Sequence, residues 1–403
     1  MKNKMIRAFF LLIVFLIQFP VYAGIDTWTS VGPSGQRVLS LAIDPTDPNK
    51  LYAGTSGGGV FFTTNSGTNW TPSTTQPTNL VITSLVIDPS SPNKLYAATS
   101  GGGIFFSTNS GVSWSPSTTQ PANLYVSCLA IDPISPNKLY AGTSGGGIFF
   151  TTNAAVNWSP STTQPSSLII TALIIDPTAP DKLYAATISS GIFFTTNAAV
   201  NWSPSTTQPT SHNVNALALD PTSSHKIYAV TTDGGIFFTT NSGVNWTPST
   251  TQPTSSLLSS LVLDPSSPNK LYAGAGDVGI FFTTNSSVDW SSLAIQPASS
   301  SISFLFLDSH YYLPTLYAST AGNFLYSFQP SGCGNHVIES TLNETCDDGN
   351  ITSGDGCNAA CHIESGFGGS GGTSGTGGSG GAGSPSEIPV DSSSGCSLMP
   401  YAF

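Results

Sequence analysis

Few residues of this 403-residue chain could do acid–base chemistry, and most of them are aspartates. Cleaving a glycosidic bond needs two carboxyl groups, one on each side of that bond. The first glutamate is Glu339, so any earlier site depends on aspartates. Most of the aspartates before Glu339 recur at a constant interval; Asp233 and Asp277 are among those outside that series, and they lie 44 residues apart. We retain Asp233 and Asp277 as catalytic candidates and otherwise expect no catalytic residue.

The other reactive side chains do not form a known catalytic group. His212, His225 and His310 are scattered along the chain. The run GTSGGG lacks the Lys-Ser/Thr that a phosphate loop requires. Cys128 lies in the apolar stretch LYVSCLAID, which favours a buried structural thiol over a nucleophile. We therefore expect no cofactor and no metal ion.

The charge balance argues against nucleic acid as a partner. Charged residues make up 8% of the chain, and the formal net charge is −11. Binding phosphates requires clustered Lys and Arg, but Arg37 and six lysines are all that follow the leading segment. An extracellular protein or glycan is the expected partner.

The leading segment has the pattern of a secretory signal peptide. Three basic residues precede an apolar run at 8–17, and the small residue Ala23 precedes Gly24. We predict a signal peptide at 1–23 and a secreted or bacterial cell-surface protein, without a transmembrane span after cleavage. An uncleaved anchor is the alternative, for which the apolar run is short.

A strict repeat of 44 residues organises most of the chain. Six tryptophans keep this interval: Trp70, Trp114, Trp158, Trp202, Trp246 and Trp290. Seven aspartates keep it as well: Asp44, Asp88, Asp132, Asp176, Asp220, Asp264 and Asp308. A period in the forties with β-rich units is typical of propeller blades.

Each unit contains four strand candidates separated by turn formers. In the second unit these are NLVITSLVIDP, KLYAAT, GIFFST and VSWSPS. The unit that begins near Asp308 has three candidates and no tryptophan, whereas DTWTSVG directly follows the signal segment. We therefore predict that Trp28 completes the last blade and closes the ring. The predicted fold is an all-β, monomeric, seven-bladed propeller of four-stranded blades at 24–330.

The segment TTNSGVNW resembles the Asp-box of bacterial neuraminidase repeats, whose pattern is roughly Ser-x-Asp-x-Gly-x-Thr-Trp. Thr239, Asn241, Gly243 and Trp246 occupy the pattern positions, and Asn replaces Asp in all six copies. The resemblance implies a structural turn between the third and fourth strands. Side-chain chemistry agrees, because an Asn side chain can bond to its own backbone two residues on and a Trp can pack on the sheet. A sugar-stacking platform is the alternative. The predicted structural residues are Asn65, Trp70, Asn109, Trp114, Asn153, Trp158, Asn197, Trp202, Asn241, Trp246, Asn285 and Trp290.

Similar repeats occur in sialidases, xyloglucanases, sortilin-like receptors and photosystem II assembly factors. A sialidase of this fold holds its substrate with three arginines, and Arg37 alone cannot replace them. Xyloglucanase-like enzymes use aspartates, which keeps Asp233 and Asp277 as candidates.

Two families of loops offer alternative surfaces. Asp88 and Lys94 flank a turn of the DPxSPNK type, which forms either ordinary turns with weak ion pairs or a docking ring for a charged partner. The TTQP and TSGGG loops would lie on the other face. That face could bind a neutral glycan or a peptide, or carry only solvated turns.

The C-terminal region resembles the myxobacterial cysteine-rich repeat. Cys333, Cys346, Cys357 and Cys361 carry this resemblance, which implies a module at 331–364 with two disulfides of undecided pairing. Its acidic loop does not match an EF-hand, and a looser calcium site stays open. A disordered Gly/Ser-rich linker and tail occupy 365–403, where Cys396 indicates either a truncated sorting signal or pairing with another chain.

Two functions of different class are therefore predicted. The favoured one is an exported, surface-associated binding or scaffold propeller without catalysis. The alternative is a glycoside hydrolase of the xyloglucanase type that uses Asp233 and Asp277.

Overall fold

The computed structural model describes residues 27–328 except 234, 256 and 311–313, and these residues form seven four-stranded antiparallel sheets. First strands of successive sheets are in contact all round the ring, including Val38–Asp44 of the first sheet with Ile302–Asp308 of the last. The seven-bladed propeller predicted from the repeat is confirmed.

The blades follow one another along the chain. Strand β1 (Thr29–Ser30) comes first. Blade 1 contains β2 (Val38–Asp44), β3 (Asp47–Thr55), β4 (Val60–Thr63) and β5 (Thr71–Pro72). Blade 2 contains β6 (Ile82–Ile87), β7 (Leu95–Thr99), β8 (Gly103–Ser107) and β9 (Ser115–Pro116). Blade 3 contains β10 (Val126–Ile131), β11 (Leu139–Thr143), β12 (Ile148–Thr151) and β13 (Ser159–Pro160). Blade 4 contains β14 (Ile170–Ile175), β15 (Leu183–Thr187), β16 (Gly191–Thr195) and β17 (Ser203–Pro204). Blade 5 contains β18 (Val214–Leu219), β19 (Ile227–Thr231), β20 (Gly235–Thr239) and β21 (Thr247–Pro248). Blade 6 contains β22 (Leu258–Leu263), β23 (Leu271–Ala275), β24 (Gly279–Thr283) and β25 (Ser291–Ser292). Blade 7 contains β26 (Ile302–Asp308), β27 (Thr315–Thr320), β28 (Leu325–Phe328) and β1.

The N-terminal strand closes the ring. Strand β1 pairs antiparallel with β28, with Thr29 opposite Ser327. The Trp28 ring stacks on Phe328 with a centroid distance of 5.1 Å, and its indole N–H donates to the carbonyl of Ile295 at 2.9 Å. Blade 7 is thus built from both ends of the described chain, as the missing tryptophan of the last repeat predicts.

The inner strands are buried on both faces because each blade packs between two neighbours. Strands β7 and β14 are buried at every position, which explains why their sequences are apolar without strict alternation. The core of the propeller therefore lies between the blades.

A β-bulge in the first strand joins each of several blades to the next. In blade 2, Ile82 pairs with Thr99 and Ser84 with Ala98, which leaves Thr83 outside the ladder. The Thr83 hydroxyl donates to the Val126 carbonyl of blade 3 at 2.6 Å. The same bond recurs from Ser127 to Ile170, Thr171 to Val214, Asn215 to Leu258 and Ser259 to Ile302.

The fourth strands are shorter than the sequence predicts. In blade 2 the ladder contains Ser115 and Pro116, and Trp114 lies just before it. Proline has no N–H to donate, so the ladder cannot continue regularly through Pro116. The tryptophan is free to pack against the neighbouring blade instead.

Candidate functional site

The Asp-box-like turns are held by their own side chains. In blade 5 the Asn241 Oδ1 accepts from the backbone amide of Asn245 at 2.9 Å and from the Thr239 hydroxyl at 2.9 Å. The bond thus reaches the amide four residues on rather than two. Gly243 has a φ of +75°, and its Cα faces the Tyr184 ring of blade 4, where an added Cβ would be 2.8 Å away. These contacts leave the Asn oxygen occupied within the turn.

Most of the outer tryptophans bond to the preceding blade. Trp158 donates its indole N–H to the Ser117 hydroxyl at 3.4 Å and its backbone amide to the Thr119 hydroxyl at 3.0 Å. Five of the six tryptophans are between 4% and 8% exposed. They are buried between blades, so they offer no platform for sugar stacking: Trp114, Trp158, Trp202, Trp246 and Trp290. Trp70 is partly buried and bonds to the carbonyl of Val31.

The glutamine of each TTQP loop is also structural. Gln120 accepts from the Ile104 amide at 2.8 Å and donates to the Ile104 carbonyl at 2.9 Å. Its amide group therefore takes the place of a strand neighbour beside β8. The same pair of bonds is made by Gln76, Gln164, Gln208, Gln252 and Gln296.

The repeated aspartates cap turns rather than form a surface ring. Asp88 is 3% exposed, and its Oδ1 accepts from the amide and hydroxyl of Ser90. Lys94 lies 4.0 Å from the other carboxylate oxygen. Because the carboxylates are buried in their own turns, the repeated aspartates do not form an exposed ring for a charged partner.

The catalytic candidates lie on the face that we call the loop face. This face contains the loops that join second to third strands and the loops that join successive blades. Asp233 and Asp277 are exposed in equivalent second-to-third-strand loops of blades 5 and 6. Asp277 accepts from the Ser255 hydroxyl at 2.5 Å. No bond joins Asp233 to Asp277 within the described residues, and neither lines the axial cavity described below.

An exposed apolar surface occupies another part of the loop face, and no pattern in the sequence distinguishes it from the strands that follow. Its members lie directly before the first strands of blades 2, 3 and 4, and each is between 40% and 57% exposed. We call it the apolar arc: Leu80, Leu124, Tyr125, Leu168 and Ile169. The carbonyl of Leu124 accepts from Gly101 and Gly103, so the arc lies directly beside the glycine-rich loops. In blade 5 the equivalent positions are His212 and Asn213, and an apolar residue returns at this position in blade 6, where Leu257 is 49% exposed.

A cavity of about 270 Å³ lies on the axis at the other face, which we call the turn face. It is lined by the ends of the first strands and by the prolines that follow six of the repeated aspartates. Blade 7 departs from this pattern, because Ser309 and His310 follow Asp308. The His310 Nδ1 lies 2.5 Å from Asp308 Oδ1. This pair is the polar corner of an otherwise apolar cavity.

The remaining predictions concern other parts of the chain. Cys128 is fully buried in β10, as expected of a structural thiol. Among the described residues, no three His, Cys, Asp or Glu side chains cluster as metal ligands would. The described part of the chain also has no helix with the length and hydropathy needed to cross a bilayer. The signal segment and the cysteines after residue 328 lie outside the described residues.

Comparison with known proteins identifies the fold. No protein-family model matches the sequence, and no curated protein matches it. An ancestral GH74 enzyme superposes with a TM-score of 0.61 at 18% identity, covering 74% of this chain and 46% of the enzyme. The GH74 xyloglucanase from Xanthomonas campestris gives a TM-score of 0.60 at 16% identity, and the match covers 75% of this chain and 53% of the xyloglucanase. The chain thus spans about half the length of these two enzymes.

A second kind of neighbour matches along almost its whole length. YCF48 from Cyanidioschyzon merolae superposes with a TM-score of 0.58 at 16% identity, covering 75% of this chain and 98% of YCF48. A structure of YCF48 bound to D1 peptide gives the same TM-score at 14% identity, and the match covers 75% of this chain and 97% of YCF48. At these identities the similarity establishes the propeller fold and leaves the activity open.

The Asp-box turn yields a test of its structural role. We expect Asn241→Ala to lower the free energy of unfolding by about 1–2 kcal/mol, because two hydrogen bonds lose their acceptor. Asn241→Asp retains both acceptors and should remain within about 0.5 kcal/mol of the wild type. Urea denaturation measures both, with Asn201→Ala, an exposed asparagine of the equivalent turn in blade 4, as the control. Equal stability of Asn241→Ala and wild type would contradict the assigned role.

The His310–Asp308 pair predicts a pH-dependent stability. The hydrogen bond that His310 donates to the Asp308 carboxylate raises the pKa of His310 above its usual 6.5. A raised folded-state pKa stabilises the fold fully below the unfolded-state pKa, and this stabilisation is lost as the pH rises through the folded-state pKa. Thermal melts should therefore show a fall in stability from about pH 6 upward that His310→Gln removes. His212→Gln, at an exposed histidine, is the control. A fall of the same size in His310→Gln would rule out this histidine as the cause.

Proposed function

We propose that this chain is an exported, surface-associated and non-catalytic binding propeller that holds a protein partner on its loop face. One observation carries the proposal: the repeated polar residues are occupied by scaffold bonds, whereas large apolar side chains are exposed at equivalent positions of three successive blades, 2 to 4. Soluble monomers rarely leave large contiguous apolar surface exposed unless it serves an interaction.

The distribution of charge on the loop face indicates the kind of partner. The apolar arc contains no charged side chain, whereas Asp233 and Asp277 follow on blades 5 and 6. A peptide segment with aliphatic or aromatic residues beside a Lys or Arg would be complementary to both parts. Tyr125, at 57% exposure, is the strongest anchor candidate, because tyrosine supplies a large contact area at little entropic cost.

One of the structurally similar proteins supports a binding function, although similarity of fold alone does not establish the function of this chain. YCF48, a propeller of the same fold and of nearly the same described length, has been solved bound to D1 peptide. Export rests on the signal-like segment at 1–23, and the Asp-box relationship rests on the turn geometry together with the sequence pattern. Both remain part of the proposal.

A glycoside hydrolase is the second candidate, because two GH74 enzymes share the fold and two aspartates occupy equivalent loops of adjacent blades. The geometry of the two aspartates favours the hydrolase less than the binding function. Both carboxylates are exposed, and the Asp277 carboxylate is bonded to Ser255. A bond-cleaving pair has to face one substrate bond from two sides within a groove.

Selection from a random peptide display library against the full chain tests the binding function. We expect enriched peptides with apolar residues next to Lys or Arg. Leu124→Ser combined with Tyr125→Ser should weaken their binding at least about tenfold, because the central apolar contacts are lost. Ile134→Ser removes an apolar side chain that is 68% exposed on the turn face, and it serves as the matched control.

The same purified chain separates the two candidates. Incubation with xyloglucan should release no reducing ends, and Asp233→Asn with Asp277→Asn should leave that result unchanged. Release of reducing ends that the double variant abolishes would replace the proposal with the hydrolase. Peptide binding that ignores the Leu124 and Tyr125 substitutions would refute the assignment of the arc.

A further inference from the structure

We infer that Arg37 binds a carboxylate of the peptide partner where the propeller axis opens on the loop face. This inference deepens the proposed function and rests on it, because it takes the loop face as the binding face. It adds one charged contact to the apolar contacts that the arc provides.

Arg37 is the one charged residue among seven equivalent positions on the loop face. Each of these residues directly precedes the first strand of a blade, and the first strands contact one another all round the propeller. We call these positions the axial ring, since they encircle the axis: Arg37, Val81, Tyr125, Ile169, Asn213, Leu257 and Ser301. Tyr125 and Ile169 also belong to the apolar arc. The arc and the guanidinium group therefore border the same opening.

The guanidinium group of Arg37 is only partly satisfied. Its Nη2 donates to the Ser303 hydroxyl of blade 7 at 2.9 Å. Its Nε is buried and finds no acceptor, whereas Nη1 is not buried in this way and bonds to none of the described residues. Polar groups in native proteins that lack a partner call for an explanation, such as an absent water or ion. Nη1 and the second N–H of Nη2 remain available to a ligand.

The positive charge of Arg37 has no counter-ion within the propeller. Arg37 forms no ion pair with any described aspartate, and the undescribed positions between 27 and 328 contain no Asp or Glu. By contrast, Lys50, Lys94 and Lys138 each pair with a repeated aspartate. The chain has a net charge of −11, so acidic residues are in excess. A partly buried cation that none of them pairs with indicates an anion supplied by a partner.

The site occurs once because the ring closes through a segment outside the repeat. The connection from Trp28 to Val38 is two residues shorter than the equivalent connection from Trp114 to Val126. At this seam the Ser319 hydroxyl bonds to the Val38 carbonyl. The hydroxyl of Ser303, the bulged residue of blade 7, is therefore left to accept from Arg37 and to orient its side chain.

The form of the site favours a carboxylate over other anions. A guanidinium group presents parallel N–H groups that match the two oxygens of a carboxylate. One guanidinium neutralises one negative charge, whereas a phosphate or sulfate dianion would keep half of its charge on an acidic protein. Tyr125, Ile169 and Leu257 are exposed on the same axial ring and can contact aliphatic groups beside the carboxylate. The ligand is therefore a carboxylate next to apolar residues, either the free end of the peptide or an acidic side chain.

Arginine-selective ¹⁵N labelling of the full chain tests the site directly, because the chain contains two arginines, Arg7 and Arg37. Arg37→Lys removes one side-chain signal and thereby assigns it. We expect the Nε–H signal of Arg37 to shift saturably with acetyl-Leu-Leu, which ends in a free carboxylate. Acetyl-Leu-Leu-amide is neutral and should bind at least about tenfold more weakly, because the charge-assisted bonds are lost. Acetyl-Leu-Glu-amide carries the carboxylate on a side chain, and the tighter of the two acids identifies the source.

Matched variants test the roles of Arg37 and Ser303 by ligand-observed NMR. Arg37→Gln should bring the affinity ratio between acetyl-Leu-Leu and its amide to about one, whereas Lys226→Gln removes the same charge from the turn face and should leave the ratio unchanged. Ser303→Ala should lower the ratio about threefold, because the guanidinium group loses the bond that orients it. Ser259→Ala changes the same bulge position in blade 6 and is the control.

The wild-type comparison needs no variant, so it stays decisive if Arg37→Gln fails to fold. The inference is overturned if neither acid shifts the Arg37 signal saturably, if the amide binds as tightly as acetyl-Leu-Leu, or if Arg37→Gln preserves the ratio. A failure of the proposed function is seen separately, as peptide binding that ignores the substitutions at Leu124 and Tyr125.

Discussion

The structure depends on the bonds that each blade makes to its neighbours. In blades 2 to 5 the outer tryptophan is buried against the preceding blade and donates there to a serine hydroxyl, as Trp158 does to Ser117. Near the axis, the bulged residue of a first strand reaches the following blade, as Thr83 does to Val126. A blade cut from this ring would expose both of its apolar faces. The repeat therefore specifies contacts that are satisfied only in a closed array.

Closure follows from the same requirement. An open array would leave the strands of blade 7 with an unpaired edge and an uncovered apolar face. Strand β1 pairs with β28, and the Ser319 hydroxyl donates to the Val38 carbonyl across the seam at 2.6 Å. The seam differs chemically from the interfaces that follow blades 2, 3, 4 and 6, where a bulge hydroxyl donates to the next blade, because here Arg37 donates to the Ser303 hydroxyl. The ring is thus joined by bonds that the repeat itself does not encode.

The sequence predicts the scaffold well because each scaffold residue is repeated six or seven times. The period of 44, the missing tryptophan near Asp308 and the unpaired Trp28 segment together determine the blade number. The hydrogen-bond partners within the turns could not be predicted from the sequence. The repeat does not indicate that Asn241 accepts from the amide four residues on, or that the Gln120 side chain bonds beside β8 in place of a neighbouring strand. Exposure is also invisible in sequence, so Leu124 and Tyr125 could be read as further strand residues. Residues that differ between the repeats become candidate binding residues only when the structure shows which of them are exposed on the same face of the propeller.

The central claim is a ring closed by its own N-terminal strand, and hydrogen exchange with mass spectrometry tests it most directly. The amide of Val31 donates to Leu325 at 2.8 Å, and β1 pairs along β28. We expect peptides covering β1 and β28 in the native protein to exchange as slowly as those covering β4 and β5. In Trp28→Ala both should exchange faster, because the stacking on Phe328 is lost. Rapid exchange of β1 and β28 in the native protein, unchanged by Trp28→Ala, would contradict the closed ring.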